Sequence, residues 1–307
     1  MKELLMKMET INKFFLFKRG LYLILLLLVS SSLLAQQTDS VNSFSQKRFN
    51  TVVLGSALAY TGTMIALNSV WYSKSDRQSF HFFNDANEWN QLDKVGHFYS
   101  AFQLSSIGSR MLLWSGVNKK KSDIAGSIVS FAVMSSIEVF DGYSSSYGAS
   151  LSDLAANALG SAFYLGQQAI WNEVRIYPKY SFHQTGFASQ RPNVLGDGLQ
   201  EEFLKDYNGQ TYWLSLDADK FFKFPKWLNL AVGYGTNGMV YATSSINKSN
   251  GFDSHRQYYL SIDFDLTAIK SKSKFINSLL FFANMIKLPA PALEFSNKGV
   301  KAYALYF

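Results

Sequence analysis

The spacing of apolar positions divides this chain into two halves. Between residues 36 and 177 apolar residues come in long blocks without one proline. All five prolines, Pro178, Pro192, Pro225, Pro289 and Pro291, lie beyond. Proline disrupts helix interiors, so this asymmetry predicts a helical first half. Four helices are predicted, at roughly 48–72, 93–116, 122–141 and 151–175. Ser122-Asp123, and Ser150 with Asp153 three residues on, are N-terminal capping signals for the last two. The stretch Val52–Trp71 carries no charge and predicts a lipid-facing or fully buried helix. The other three are rich in Ser, Gly and Ala, as in 104–109 and 125–131. Small residues let helix backbones approach closely, in membranes especially, so the bundle is expected to be membrane-associated, although Arg110 argues against a simple span there.

Beyond residue 177 the period drops to two. Tyr258, Leu260, Ile262, Phe264 and Leu266 alternate with Tyr259, Ser261, Asp263 and Asp265. Tyr212, Leu214, Leu216 and Ala218 alternate with Trp213, Ser215, Asp217 and Asp219; Leu228, Leu230, Val232 and Tyr234 alternate with Asn229, Ala231 and Gly233. Such patterns predict strands with one apolar and one polar face. Asn208-Gly209, Asn237-Gly238 and Asn250-Gly251 supply turns between them. Five or six strands are expected from 178 to 307, interrupted by an apolar helix near 274–287. The chain ends Tyr303-Ala304-Leu305-Tyr306-Phe307, an alternating aromatic strand like the last strand of outer-membrane barrels. A soluble antiparallel sheet that happens to end in Phe is the competing reading, since the smallest such barrels have about eight strands. The expected fold class is therefore α+β: a helical module at 48–175, then an antiparallel β module at 178–307, open or barrel-like.

The first residues read differently. Lys2, Lys7, Lys13, Lys18 and Arg19 precede an apolar run from Gly20 to Leu34, and Ala35 precedes Gln36-Gln37. This is the layout of a cleaved export signal over 1–35; the run is shorter than the roughly 20 residues of a spanning helix. The formal charge of +7 falls to +4 without that segment, and no basic stripe interleaved with aromatics is present, so nucleic acid is rejected as a partner. The chain has no cysteine, which excludes disulfides, thiolate metal sites, a cysteine nucleophile and a lipid-modified cysteine. Charged residues make up only 17%, against about 25% in typical soluble domains, which favours an envelope setting with membrane lipid as partner.

The candidate chemistry lies in the helical half. Asp93 and His97 are four apart and share a helix face, with Lys94 beside them. Glu138 and Asp141 are three apart near the end of the next apolar helix, and Asp153 and Asn157 are four apart at the start of the last. A hairpin through 142–150 would bring these groups to one end of the bundle, where ionisable side chains are costly unless paired or used. Three readings stay open. His97 with carboxylates could hold a divalent metal, although neither metal nor other cofactor is specified by the spacing. His97 could be a general base oriented by Glu138 or Asp141, with Asp153 as a further catalytic partner. Or the group is a structural clamp in which Asp153 caps its helix, Asn157 bonds backbone and His97 pairs with Glu138. Elsewhere, His81 falls in an aromatic loop and His183 and His255 lack acidic partners. The Ser-rich loop 142–148 has no nucleophile-elbow pattern, no phosphate loop is present, and Lys119–Lys121 read as a solvated turn.

Taken in order, Asp93-Lys94-x-x-His97-Phe98, Glu138, and Ser152-Asp153-Leu154-x-x-Asn157-x-x-Gly160 resemble the predicted periplasmic lipoproteins of the YfiM type over about residues 90–166. The same order is similar to that of VanZ-like membrane proteins. The resemblance implies an envelope-attached or integral helical module of undetermined biochemistry, connected in the VanZ case with tolerance to glycopeptide antibiotics. The chain departs from the pattern by lacking a lipobox cysteine and by adding a strand-rich half. The expected protein is an exported component of a Gram-negative-type envelope, with the outer membrane favoured and an envelope protein or cell-wall partner as further candidates. Its expected role is structural or binding; the alternative is a hydrolase or metal-dependent enzyme acting on envelope lipid or cell-wall material.

Overall fold

The computed structural model describes residues 43–72 and 75–307; the export signal and its cleavage point lie outside them. Four long helices come first: α1 (Gln46–Leu67), α2 (Leu92–Trp114), α3 (Lys119–Gly142) and α4 (Leu151–Trp171). They match the predicted four, with α1 continued by one π-helical turn to Tyr72. Ser150 caps α4 as expected, its hydroxyl accepting from the Asp153 amide at 3.1 Å. The cap of α3 is displaced from Ser122. Asn118 accepts from the Lys121 amide at 2.9 Å, so Lys119–Lys121 form the helix's first turn rather than a turn between helices.

Small residues set the helix spacing. A methyl group on Gly126 would stand 2.6 Å from the Ser109 nitrogen, and one on Gly160 would stand 2.2 Å from the Phe98 carbonyl oxygen. These glycines therefore let α3 and α4 lie directly against α2. Serine hydroxyls at the contact bond in place, as Ser130 does on the Ala101 carbonyl at 2.7 Å and Ser109 on the Asp123 carboxylate at 2.5 Å. α1 and α3 are long and apolar enough to cross a membrane by length and composition, but α1 buries almost nothing while α3 is partly buried in the bundle. Arg110 of α2 places its guanidinium 3.9 Å above the Phe281 ring, a cation–π contact on the helix that interrupts the strands.

The second half is a six-stranded antiparallel meander in sequence order: β1 (Ile176–Phe182), β2 (Gln210–Leu216), β3 (Leu228–Asn237), β4 (His255–Phe264), β5 (Ala290–Ser296) and β6 (Gly299–Tyr306). Short helices α5 (Leu199–Lys205) and α6 (Ser244–Ser249) lie in its connections, and the apolar helix expected near 274–287 is α7 (Lys274–Ala283). Gly238 and Gly251 take φ of 76° and 81°, the conformation their Asn-Gly pairs predict. Gln167 of α4 joins the halves: its side chain accepts from the amides of Arg175 and Ile176 and donates to the Ile176 carbonyl. Gln103 of α2 donates to Pro178 O at 2.7 Å.

The sheet is open, which corrects the barrel-like form. Curl brings the Tyr306 hydroxyl of β6 within 3.0 Å of Thr211 Oγ1 on β2, yet β1 and β6 do not pair. The free edge of β1 is taken instead by the segment after α7: Tyr180 N donates to Met285 O and Lys287 N donates to Tyr180 O. Both faces exist as the alternation predicts, but their placement inverts that of a soluble sheet. The polar set is inside: Ser215, Asn229, Ser261 and Asp263 are buried with Trp213 and Tyr259. The apolar set, including Leu214, Val232, Tyr258, Leu260, Leu293 and Phe295, is outside and exposed. Near α2 and α4 this outer face is approached across an apolar groove of about 430 Å³ lined by Val95, Phe98, Leu159, Leu214 and Val232.

Candidate functional site

The site is assembled from three helix ends and a loop. α2 begins after Trp89, Asn90 and Gln91, three consecutive non-glycine residues in the left-handed region with φ of 48°, 52° and 64°. Such backbone is costly and persists only where neighbours hold it. Here Asn90 Nδ2 donates to Thr236 Oγ1 of β3 at 2.8 Å, and the Tyr234 hydroxyl donates to the Asn90 carbonyl. The sheet thus fixes the entry of α2 and, with it, Asp93, Lys94 and His97.

Lys94 is the hub of one half of the cluster. Its ammonium lies 2.5 Å from Asp85, 2.9 Å from Asp93 and 2.9 Å from Asp153, so one cation meets three carboxylates. Asp85 also accepts from the hydroxyls of Ser150 and Ser152 at 2.6 and 2.9 Å. His97 is the hub of the other half. Its Nδ1 lies 3.0 Å from Asn157 Oδ1 and 3.6 Å from Glu138 Oε1, and its Nε2 is 4.0 Å from Asp153 Oδ1. Glu138 Oε2 accepts from the Ser150 amide at 3.2 Å, and Asp141 accepts from the Tyr72 hydroxyl at 2.6 Å.

Asp93, Lys94, His97, Glu138, Asp141, Asp153 and Asn157 all therefore meet at one end of the bundle, with two details altered. Ser150, not Asp153, caps α4, because the Asp153 carboxylate is turned toward Lys94. Asn157 faces the His97 ring, not backbone. Two members had no signal in the sequence. Asp85 sits in the loop read as interfacial and aromatic, and Tyr72 ends the apolar run of α1; each reaches the site only through the tertiary fold. His81 in that loop holds backbone, its Nδ1 lying 3.0 Å from Gly142 O. The Ser144 hydroxyl lies 2.7 Å from that of Ser75, a serine pair with no histidine in it.

Electrostatics follow from five carboxyl groups gathered near one lysine that pairs with three of them. Burial, reinforced by Asp153, pushes Glu138 up to about 8. Burial likewise carries Asp93 and Asp141 to about 6, against the opposing pull of Lys94 on the first and of the Tyr72 hydrogen bond on the second. Asp153 is also raised by burial. Burial alone would raise Asp85 too, but hydrogen bonds from Lys94 and Ser150 outweigh it and hold this carboxyl below its ordinary value. Lys94 is held well above its ordinary value by its carboxylates despite desolvation.

The cluster is not sealed. Asp85, Asp93, His97, Asp141 and Asp153 line one end of a cleft of about 970 Å³, whose other walls include Tyr72, Tyr99, Tyr147, Tyr207 and Tyr212. Glu138 lies behind them, 2% exposed. Perturbed carboxyls and a histidine thus converge on a cleft whose volume falls in the range of small-molecule sites.

Residues 81–167 match a family model described as predicted periplasmic lipoprotein (DUF2279). The matched segment contains every member of the cluster except Tyr72, and it stops before β1. It supports an exported cell-envelope protein and carries no biochemical assignment. No curated protein and no solved structure matches the chain. The family segment is thus the helical part that builds the acidic end of the cleft, while the sheet supplies Tyr180 and Tyr212 of its far wall.

Proposed function

We propose that this envelope protein rests on membrane lipid and binds, in the cleft between its helices and sheet, an amphiphilic envelope molecule with an amine- or hydroxyl-bearing head. The observation that carries this reading is that His97, Asp93, Asp141 and Asp153, although paired with their neighbours, also line the cleft. A purely structural clamp has no need of a cleft beside it. The acidic end suits an ammonium or sugar hydroxyls, and the aromatic walls suit an apolar or ring-shaped body. The same cluster ties α2, α3, α4 and the loop at Asp85 together, so binding and bundle registration share residues.

The outward apolar face of the sheet supports the lipid-resting part of the reading, and its polar interior supports the outer membrane over the inner. One observation favours a second reading, in which the protein hydrolyses the bound envelope lipid or cell-wall material. His97 reaches the cleft with Nε2 near Asp153, an arrangement suited to a general base.

Titration of full-length protein in detergent with short-chain phosphatidylethanolamine, and separately with phosphatidylglycerol, tests the binding reading. Saturable binding of the amine-headed lipid that Asp141→Asn and Tyr147→Ala each weaken at least tenfold is expected. Equal, unsaturable uptake of both lipids by wild type and variants would overturn it.

A further inference from the structure

The half of the cluster around His97 has a hydrogen-bonding problem that no side chain among the described residues solves. His97 Nδ1 faces two acceptors, Asn157 Oδ1 at 3.0 Å and Glu138 Oε1 at 3.6 Å. A ring nitrogen carries at most one hydrogen, and 3.6 Å is beyond hydrogen-bond reach. Glu138 is 98% buried, since its exposure is 2%, and its Oε1 has no hydrogen-bond donor among the described residues. Asn157 is fully buried and cannot reach water. Turning its amide over would give His97 a donor but leave Glu138 Oε1 as it is. A buried carboxylate oxygen in this position needs a positive charge or a proton donor.

We propose that His97, Glu138 and Asp153 bind one divalent first-row cation such as zinc or manganese, with Asn157 Oδ1 as a further oxygen donor. The donor atoms of His97, Glu138 and Asp153 lie within 4.8 Å of one another. Ligands about 2.1 Å from a common ion at tetrahedral angles stand roughly 3.4 Å apart, close to the 3.6 Å between His97 Nδ1 and Glu138 Oε1. One imidazole with carboxylate and amide oxygens suits zinc, manganese or iron(II) and disfavours copper(I), which seeks sulfur. Charge agrees with geometry. Lys94 is engaged by Asp85, Asp93 and Asp153, and among the described residues Glu138 has no lysine or arginine of its own.

The three ligands come from three helices, α2, α3 and α4, so the ion would lock the bundle at the end where the cleft opens. Glu138 approaches from behind, while His97 and Asp153 line the cleft, so the open coordination position faces a bound molecule. The inference deepens the cleft reading and rests on it for that access. It adds to the class of occupant: a head with an oxygen able to complete the coordination, a phosphate ester or a sugar hydroxyl.

The test uses the full-length protein in detergent, stripped with EDTA, dialysed, and titrated with zinc or manganese by calorimetry, with elemental analysis of the recovered protein. One ion per chain and a higher melting temperature with metal are expected. Glu138→Gln and His97→Gln should each weaken binding at least tenfold. Asp123→Asn, at the opposite end of the bundle, should leave it unchanged. Asn157→Asp, which adds charge and conserves shape, should tighten it, and this variant keeps the test alive if the others fail to fold. Absence of a retained ion, or wild-type affinity in Glu138→Gln and His97→Gln, overturns the metal site. Lipid titration of the stripped protein separates the two proposals: lipid bound with no ion site sinks the ion alone, and an ion bound with no lipid sinks the cleft reading alone.

Discussion

Lys179 on β1 and Asp263 on β4 form an ion pair of 2.6 Å across the inner face of the sheet, with side chains 1% and 0% exposed. Two strands lie between them, so only the curl of the sheet brings them together. The pair is embedded in further bonds: Lys179 donates to Phe264 O and Asn284 Oδ1, and Asp263 accepts from Ser215 at 2.6 Å. Removing one partner of such a pair leaves a buried charge behind. Lys179→Met is therefore expected to destabilise the protein by about 3–5 kcal/mol, whereas replacing both residues by apolar ones should recover most of that loss. Denaturant midpoints of the single and double variants check this. Equal midpoints for the two would mean that the inner face is wet.

Lys287 is the second lysine on this inner face, 2% exposed, with its ammonium 4.5 Å above the Trp213 ring. Burial lowers it from 10.5 to about 8, partly offset by Asp263. A lysine whose folded value lies below its unfolded one opposes folding wherever it is charged, so the penalty is complete below about pH 8 and disappears toward 10.5. Wild type should gain melting temperature relative to Lys287→Met as pH rises from 7.5 to 9.5. Parallel pH curves for the two proteins would show that Lys287 is hydrated.

The helices, the strands and the convergence of Asp93, His97, Glu138 and Asp153 were legible because each rests on a local regularity. Proline-free apolar blocks, two-residue alternation and four-residue spacings need no knowledge of distant contacts. Alternation could not say which face turns inward, because a period of two is the same viewed from either side. That assignment depends on Tyr306 reaching Thr211 and on Lys179 meeting Asp263, both products of sheet curl. The open edge was illegible for a like reason: residues 285–287 compete for β1 from more than a hundred positions away. Asp85 entered the site through a loop with no periodicity. The left-handed turn Trp89-Asn90-Gln91 contains no glycine to announce it.

Around Lys94 the same charge logic gives an asymmetric expectation. Lys94→Met leaves Asp85, Asp93 and Asp153 without their shared cation and should cost several kcal/mol, of the order of about 3. Asp93→Asn removes one of three anions and should change stability by no more than about 1 kcal/mol. Asp153→Ala should lower melting temperature or abundance, since it breaks the tie between Lys94 of α2 and the first turn of α4. If Asp153→Ala melts like wild type but no longer binds ligand in the cleft, the cluster works on the ligand and does not hold the bundle.

Glycines give the sharpest test of how the helices pack. At Gly160 an added methyl would meet the Phe98 carbonyl oxygen at 2.2 Å, and at Gly126 the Ser109 nitrogen at 2.6 Å. Backbone atoms cannot step aside as a flexible side chain does, so Gly160→Ala and Gly126→Ala must push α4 or α3 away from α2, at an expected cost of about 1–3 kcal/mol each. Gly55 in α1 and Gly166 in α4 are also helical, yet an added methyl there would meet nothing within 4 Å. At those two sites alanine removes glycine's helix penalty, and stability should rise by up to about 1 kcal/mol. Four single variants measured by thermal unfolding thus have opposite signs assigned in advance. Stabilisation by Gly160→Ala or Gly126→Ala would mean that α2, α3 and α4 do not lie this close, and the convergence of His97, Glu138 and Asp153 would fall with that spacing.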